Sequence, residues 1–450
     1  MAAQSPVPTF DDLKITYHES SLVIPSQEIE EKSIFLSNID QILNYSIPTA
    51  HFFKPNPDFP SENVAKRLKM ALEKVLVHYD FMAGRLKLNS KTGRLEMDCN
   101  GAGAGFVVAS SEFSLDEIGS SLVYPNLGYR QLAAQKLENL APQVDQPLCF
   151  FQVTSFKCGG FAIGMCMNHI LLDGLGAKTF IENLASQAFD DKHLAVIPCN
   201  DRWLLAARSP PQVAFPHPEF LDLHLPVGEG SSPPVFDCSR EELEFKIFKL
   251  SPTDITKLKK KANNGSEAAK ISSFGVVAAL IWRCKAFSGS AELQKKDRIS
   301  TLLNVIDIRP RRNPQLPSSY SGNGVLPLGV SATFEELENG PFSKLVEKIS
   351  EGAKVMTDEY IKSAFDWMEM HRGLPQGDYM VSSWLRLGFE KIEYPWGKPV
   401  YCCPVVNHRK DICWVFPDAI DGGIGAMVAL PGEEMERFDG IFREFIQRLG

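Results

Sequence analysis

The sequence predicts a mixed α/β or α+β protein built from two halves of about 210 residues each. Three observations carry that expectation. Amphipathic charged stretches alternate with short β-branched and aromatic runs on both sides of the chain's middle. Seven prolines (210, 211, 216, 218, 226, 233 and 234) and two glycines, Gly228 and Gly230, crowd the stretch Ser209 to Pro234. With 450 residues, 44% of them hydrophobic, the chain suffices for two to three ordinary domains. Proline fixes φ and removes a donor, so residues 209–234 read as a crossover linker with neither helix nor strand, between domains at 1–208 and 235–450.

The individual elements follow from spacing. Val64, Leu68, Leu72, Val75 and Leu76 recur at helical intervals and predict a helix over Asn63 to Tyr79. Phe161 to Met167 is short, continuously apolar and glycine-containing, which suits a strand buried on both faces. Thr301 to Ile306 is a second strand-like run, ending at Asp307-Ile308-Arg309. Ser273 to Cys284 reads as a buried helix. Phe342, Leu345, Val346 and Ile349 give Phe342 to Met356 one apolar face. Gly101 to Gly105 is followed by Phe106-Val107-Val108-Ala109, a strand. A dinucleotide site needs a helix there, so a glycine hairpin is the better reading.

Charge and cysteine usage narrow the classes. The net charge of -8 argues against a nucleic-acid binder, which needs a concentrated positive field. The longest apolar run falls short of a membrane span, and Met1 to Ile15 lacks the apolar stretch of a secretory signal. Ten scattered cysteines without a CxxC pair predict neither a disulfide framework nor a zinc site. The expectation is a reduced cytoplasmic protein with no metal.

The chemistry centres on Asn168-His169-Ile170-Leu171-Leu172-Asp173-Gly174, directly after the buried strand. An imidazole leaving a strand into a glycine turn can act as a general base on a hydroxyl or amine. Nine histidines make one chance HxxxD an event with probability on the order of a half, so the context matters more than the spacing. The bland alternative is a satisfied core histidine with Asp173 capping the next helix. Cys158 and Cys166 lie close to His169, but Cys166 sits in an apolar run where a thiolate is costly, so both read as structural. Lys257, Lys259, Lys260, Lys261 and Lys270 lead to Ser272-Ser273 and the buried helix. They are either a solvated face or a patch for the phosphates of a nucleotide-like ligand. Arg309 at a strand end calls for a carboxylate partner, and Asp173 is one candidate.

Taken in order, these residues resemble the plant BAHD acyltransferases over almost the whole chain, from Lys14 onward. The resemblance rests on Leu36-Ser37-Asn38-Ile39-Asp40, Ala83-Gly84-Arg85-Leu86, Phe156-Lys157-Cys158-Gly159-Gly160 and His169-to-Asp173-Gly174. In the second half it rests on Ser272-Ser273-Phe274 through Trp282-Arg283, Asp307-Ile308-Arg309, Tyr320-Ser321-Gly322-Asn323 and Trp396-Gly397-Lys398-Pro399. It implies an α/β fold of two chloramphenicol-acetyltransferase-like domains with an interdomain solvent channel. His169 would be the base, and acyl-CoA a co-substrate, with no bound cofactor and no covalent acyl-enzyme. Asp173 would turn away from the reacting atoms to pair with Arg309. Gly174, Trp396 and Gly397 would give structural support, and Trp396 is also a candidate N–H donor to the oxyanion. Lys257, Lys260, Lys261, Lys270, Ser272 and Ser273 would hold CoA.

The family's second motif usually reads Asp-Phe-Gly-Trp-Gly; here it is Glu393-Tyr394-Pro395-Trp396-Gly397, with a proline in place of glycine. Ile47-Pro48 stand where shikimate- and quinate-using relatives carry His-Thr, and Leu43, Tyr45, Phe52 and Phe53 continue the apolar character. A polyol acid would leave hydroxyls unpaired against such a wall. Ile47 and Pro48 are therefore expected acceptor residues, and the resemblance to the family pattern adds Ser382 and Trp384. The motifs look most like the branch acylating ω-hydroxy fatty acids and fatty alcohols. The expected activity is hydroxycinnamoyl transfer (feruloyl, coumaroyl or caffeoyl) to a hydrophobic alcohol, by a monomer acting on small molecules. The alternatives are a non-catalytic accessory protein of very-long-chain lipid synthesis and an N-acyltransferase of amines or polyamines.

Overall fold

The computed structural model describes residues 12–119, 127–141, 145–222, 242–263, 271–289, 296–405, 409–418 and 421–449. The first half holds β1 (Ile15–Val23), β2 (Lys32–Phe35), α1 (Asn38–Ile42), β3 (Ser46–Phe53), α2 (Ser61–Val75), β4 (Arg85–Asn89), β5 (Arg94–Cys99), β6 (Ala104–Ser111), α3 (Leu115–Gly119), β7 (Cys149–Ser155), β8 (Phe161–Asn168) and α4 (Gly174–Gln187). There follow β9 (Phe220–Leu221), β10 (Glu244–Leu250), α5 (Pro252–Ala262), α6 (Ser273–Ser288), β11 (Ile299–Asp307), β12 (Val325–Thr333), α7 (Phe334–Asn339), α8 (Phe342–Val355) and α9 (Asp358–His371). The chain closes with β13 (Leu374–Pro375), β14 (Tyr379–Ser383), β15 (Tyr401–Pro404), β16 (Ile412–Pro417), β17 (Ile424–Leu430) and α10 (Gly432–Gln447).

Two compact units divide the chain. The first contains residues up to Ala206 together with Pro317–Gly324 and Leu387–Val406, and the second the remainder. The division by halves is thus amended at two places. The physical reason for one is pairing: β15 runs antiparallel to β3, with Tyr401 opposite Phe52 and Pro404 opposite Thr49, so this late strand completes the first unit's sheet.

The first unit's six-stranded sheet has the order β1-β6-β7-β8-β3-β15. Strand β8 lies inside it, antiparallel to both β7 and β3, and all residues from Phe161 to Cys166 are buried. Gly164 is required there, since a Cβ would stand 1.7 Å from the Leu132 carbonyl oxygen. Helix α2 buries Val64, Ala65, Leu68, Ala71, Leu72 and Val75. It ends four residues before the predicted Tyr79, although Leu76 and Tyr79 stay buried through the turn that follows.

The second unit's sheet has the order β10-β17-β16-β14-β11-β12. Helix α6 packs on it with Val276 through Trp282 fully buried, and the Trp282 indole donates to Ser300 Oγ at 2.9 Å. Each large apolar side chain so removed from water contributes roughly 1.5–3 kcal/mol. Of the expected linker, residues 223–234 lie outside the described residues. Within 209–222 the expectation of no strand is corrected, because β9 pairs antiparallel with β13. The prolines at 210, 211, 216 and 218 precede it, leaving Phe220 to stack on Trp367 with centroids 5.6 Å apart.

Candidate active site

Strand β8 ends at Asn168, and the chain turns through His169-Ile170-Leu171 before α4 begins. Asn168 builds the turn, its Oδ1 accepting the Ile170 N–H at 3.0 Å and its backbone oxygen the Leu171 N–H at 3.1 Å. The His169 N–H donates to the Tyr45 carbonyl at 2.7 Å, extending the β3–β8 ladder by one step. The Tyr45 ring stands 5.5 Å from the imidazole.

Four side chains then fix the imidazole's protonation pattern. Asn323 Nδ2 donates to Asp40 Oδ1 at 2.7 Å and to the His169 carbonyl at 2.9 Å. Both of those are acceptors only, so Asn323 Oδ1 is the atom facing His169 Nδ1 at 2.9 Å. Nδ1 must therefore carry the proton, and in the neutral ring the lone pair sits on Nε2. Asp40 is in turn held by the buried Arg202, whose Nη1 lies 2.8 Å away, and by the Ser37 N–H and hydroxyl. Arg202 also donates to the Ile170 and Leu171 carbonyls, at 3.1 and 2.6 Å, and so clamps the turn that carries His169.

Burial lowers the His169 pKa below the usual 6.5. The hydrogen bonds to its own backbone and to Asn323, and the charges of Asp173 and Asp40, oppose that without reversing it. The ring is half-buried and neutral near pH 7, the state a general base needs.

Asp173 is 2% exposed and caps α4, its Oδ1 accepting from the Gly176 N–H and its Oδ2 from the Gly324 N–H, each at 2.9 Å. The capping reading is therefore realised, and it fixes the far end of the same turn. Gly174 opens the helix against Leu387. Arg309 belongs to the second unit, where its Nη1 donates to Asp307 at 3.2 Å.

The remaining expected residues separate. Ile47 pairs with Met167, on the sheet face that leads to Tyr45 and His169. Successive strand residues point to opposite faces, so Pro48 is turned away and buried beside Cys166; its expected place in the acceptor wall is corrected. Phe52 and Phe53 are core residues, at 0% and 1% exposure. Burial pushes the Cys166 thiol up to about 12, consistent with a structural role. Ser382 and Trp384 share a face of the second unit with Trp414, whose ring lies 6.1 Å from that of Trp384. Lys257, Lys259, Lys260 and Lys261 lie on α5, and Lys270 falls outside the described residues. Ser272 caps α6, its hydroxyl accepting the Gly275 N–H, and Ser273 is the first helical residue.

Trp396 packs among Phe53, Phe59, Phe161 and Tyr394. Phe161 is eight residues from His169 along β8, about 25 Å of strand, so the oxyanion role raised for this indole is corrected to a packing one. Pro395 occupies the second position of a tight turn closed by the Gly397 N–H on the Tyr394 carbonyl at 3.0 Å. Proline is favoured at that position, where the turn requires no N–H donor. Gly397, at φ +110°, takes a conformation that glycine alone adopts easily.

Residues 13–444 match the Transferase family. The chain belongs to the plant BAHD acyltransferases. This BAHD acyltransferase is 50% identical to the Arabidopsis thaliana protein named Acyltransferase GLAUCE, over 98% of each chain. It is 32% identical to the Arabidopsis thaliana omega-hydroxypalmitate O-feruloyl transferase, over 96% of this chain and 93% of that one. Among solved structures, vinorine synthase superposes with a TM-score of 0.71 at 23% identity, covering 94% and 96% of the two chains, a likeness of fold. The protein is accordingly an acyl-CoA-dependent acyltransferase with an α/β fold of two chloramphenicol-acetyltransferase-like bodies. Among the described residues no helix is long and apolar enough to cross a membrane.

Proposed function

We propose that this BAHD acyltransferase moves a hydroxycinnamoyl group from CoA to the hydroxyl of a hydrophobic alcohol, such as an ω-hydroxy fatty acid, a fatty alcohol or an aromatic alcohol. The observation that carries the reading is the free lone pair on His169 Nε2 beside an apolar strip of half-buried Tyr45, Ile47 and Met167. The acceptor O–H gives its proton to Nε2 as the oxygen attacks the thioester carbonyl. The tetrahedral intermediate then expels the CoA sulfur, which takes the proton back from the imidazolium. No acyl group passes through the protein. Asp173 acts at a distance by fixing the turn. The α5 lysines 257, 260 and 261, with Lys270, Ser272 and Ser273, are the proposed contacts of CoA, and Ser382 and Trp384 further acceptor contacts.

A polyol acid placed against Tyr45 and Ile47 would leave hydroxyls unpaired, whereas an alkyl chain or aromatic ring would not. A relative of this chain carries the name omega-hydroxypalmitate O-feruloyl transferase, which supports the choice. The test is thiol release from feruloyl-, coumaroyl- and caffeoyl-CoA crossed with long-chain alcohols, aromatic alcohols, shikimate, quinate and spermidine, for the wild type and His169→Ala. Long-chain or aromatic alcohols are the expected acceptors, with His169→Ala folded and inactive. Preference for shikimate, quinate or spermidine refutes the substrate assignment, and near-normal turnover by folded His169→Ala refutes the mechanism.

A further inference from the structure

Asparagine followed by glycine occurs four times, at positions 100, 264, 323 and 339. Glycine has no side chain to keep its backbone nitrogen from the preceding amide, so this pair loses ammonia in water more readily than other asparagine pairs. Asn264 lies outside the described residues. Asn100 and Asn339 are exposed, whereas Asn323 is 0% exposed. The Asn323 amide is held at three points within the first unit, by Asp40, by the His169 carbonyl and by His169 Nδ1. The nitrogen that would attack it is held as well, since the Gly324 N–H donates to Asp173 Oδ2 at 2.9 Å. Asp173 is itself buried, and its other oxygen caps α4. A labile dipeptide thus carries the partner of the catalytic base, with both of its reacting groups occupied.

We propose that Asn323-Gly324 is a latent deamidation site, kept inert by the bond from Gly324 to Asp173 and converted when the turn around His169 opens. In the reaction, hydroxide takes the Gly324 amide proton and the nitrogen attacks Asn323 Cγ. The new N–Cγ bond replaces the Cγ–Nδ2 bond, and Nδ2 leaves as ammonia with a proton from water. Water then opens the cyclic imide at either carbonyl, giving aspartate or its isoaspartyl isomer. The net change is amide plus water to carboxylate plus ammonium, and nothing is oxidised or reduced. Conversion removes both donations from Nδ2 and sets an oxygen against Asp40 Oδ1 and the His169 carbonyl, acceptors now 2.7 and 2.9 Å away. That repulsion undoes the arrangement that keeps the proton on His169 Nδ1, so each conversion retires a molecule irreversibly. Asp173 therefore guards a covalent bond as well as shaping the turn.

The test ages the full chain at mildly alkaline pH, below its melting temperature, and follows amide-to-acid conversion at Asn323 and at the exposed Asn100 by peptide mass. In the folded wild type Asn323 should convert at least about tenfold more slowly than Asn100, because reaction needs the opened fraction. In unfolding urea the two rates should agree within about threefold. Asp173→Ser keeps one oxygen for the α4 cap and none for Gly324, so conversion at Asn323 should rise about tenfold while Asn100 is unchanged. Should that variant not fold, urea below the wild-type transition takes its place, and conversion at Asn323 should climb while that at Asn100 stays level. Gly324→Ala, unfolded in urea, should slow conversion at Asn323 at least about tenfold, because a methyl group hinders the attack. Asn323→Asp, the product, should lower kcat at least about tenfold with whichever acceptor the wild type uses. Conversion at Asn323 in the folded wild type as fast as at Asn100, or none in urea, overturns the site. An unchanged rate in folded Asp173→Ser overturns the guard, an unchanged rate in Gly324→Ala the cyclisation, and full activity of Asn323→Asp the loss of function.

Discussion

Replacing Arg202 by methionine should cost about 3–5 kcal/mol of stability, because it leaves the Asp40 carboxylate buried without its counter-ion. The two groups are 2% and 0% exposed and 2.8 Å apart, so solvent cannot screen the loss. The Ile170 and Leu171 carbonyls lose the hydrogen bonds from Arg202 at the same time, and the turn carrying His169 loosens. Asp40→Asn alone strands the guanidinium instead. In Arg202→Met/Asp40→Asn neither charge remains, so the double variant should be more stable than the sum of the single losses predicts, by at least about 2 kcal/mol. The measurement is urea unfolding of all four proteins, following the transition of the first unit, with kcat read in parallel. Additivity within about 0.5 kcal/mol would mean that the pair is not the tightly coupled unit its burial implies. A loss below about 1 kcal/mol for Arg202→Met would refute the argument outright.

Three further experiments have expected outcomes. The acid limb of kcat/KM should have its midpoint below 6.5, since burial lowers the His169 pKa and activity falls as the ring gains a proton; Asn323→Leu removes a bond that raises that pKa, so its limb should move to lower pH. The plateau kcat of that variant should fall up to about tenfold, with KM for acyl-CoA unchanged, and a limb moving upward would contradict the tautomer argument. Pro395→Gly should leave kcat and KM unchanged and lower stability by about 0.4–1 kcal/mol, because proline already fits its turn and limits the unfolded chain; a large gain in activity would show that proline impairs the site.

Much of the scaffold is legible because burial writes a period into the sequence. The helices α2, α6 and α8 follow apolar spacing, and β8 follows an unbroken apolar run that ends just before His169. Asp173 was legible twice, as part of the histidine motif and as a helix cap, and both readings describe the same carboxylate. Asn323 and Arg202 were not assigned roles by the sequence. Asn323 stands 154 residues from His169, and its motif carries a resemblance but no local signal of what its amide would touch. Arg202 sits beside the exposed Trp203 and Leu204, so its neighbourhood resembles a solvated turn, and only the fold shows it buried. Pro48 failed for a different reason: a pair of adjacent residues cannot both face one side of a strand, and register is a property of pairing.

The distribution of these residues along one strand decides what a departure from the family pattern can mean. Strand β8 carries His169 just beyond one end, while Phe161 at the other end receives Trp396 and, through Phe53, Tyr394. The turn with Pro395 is closed by backbone bonds between Tyr394 and Gly397 and sits at that second end, with Glu393 and Lys398 forming an exposed pair 3.8 Å apart beside it. A change there alters how the aromatic cluster is entered but places no atom near the imidazole. Loss of catalysis would be written instead at positions 40, 202 and 323, where a single substitution removes the counter-ion, the clamp or the partner that holds the proton on Nδ1. All three are intact here, so the proline in the second motif gives no reason to treat this chain as an inactive relative.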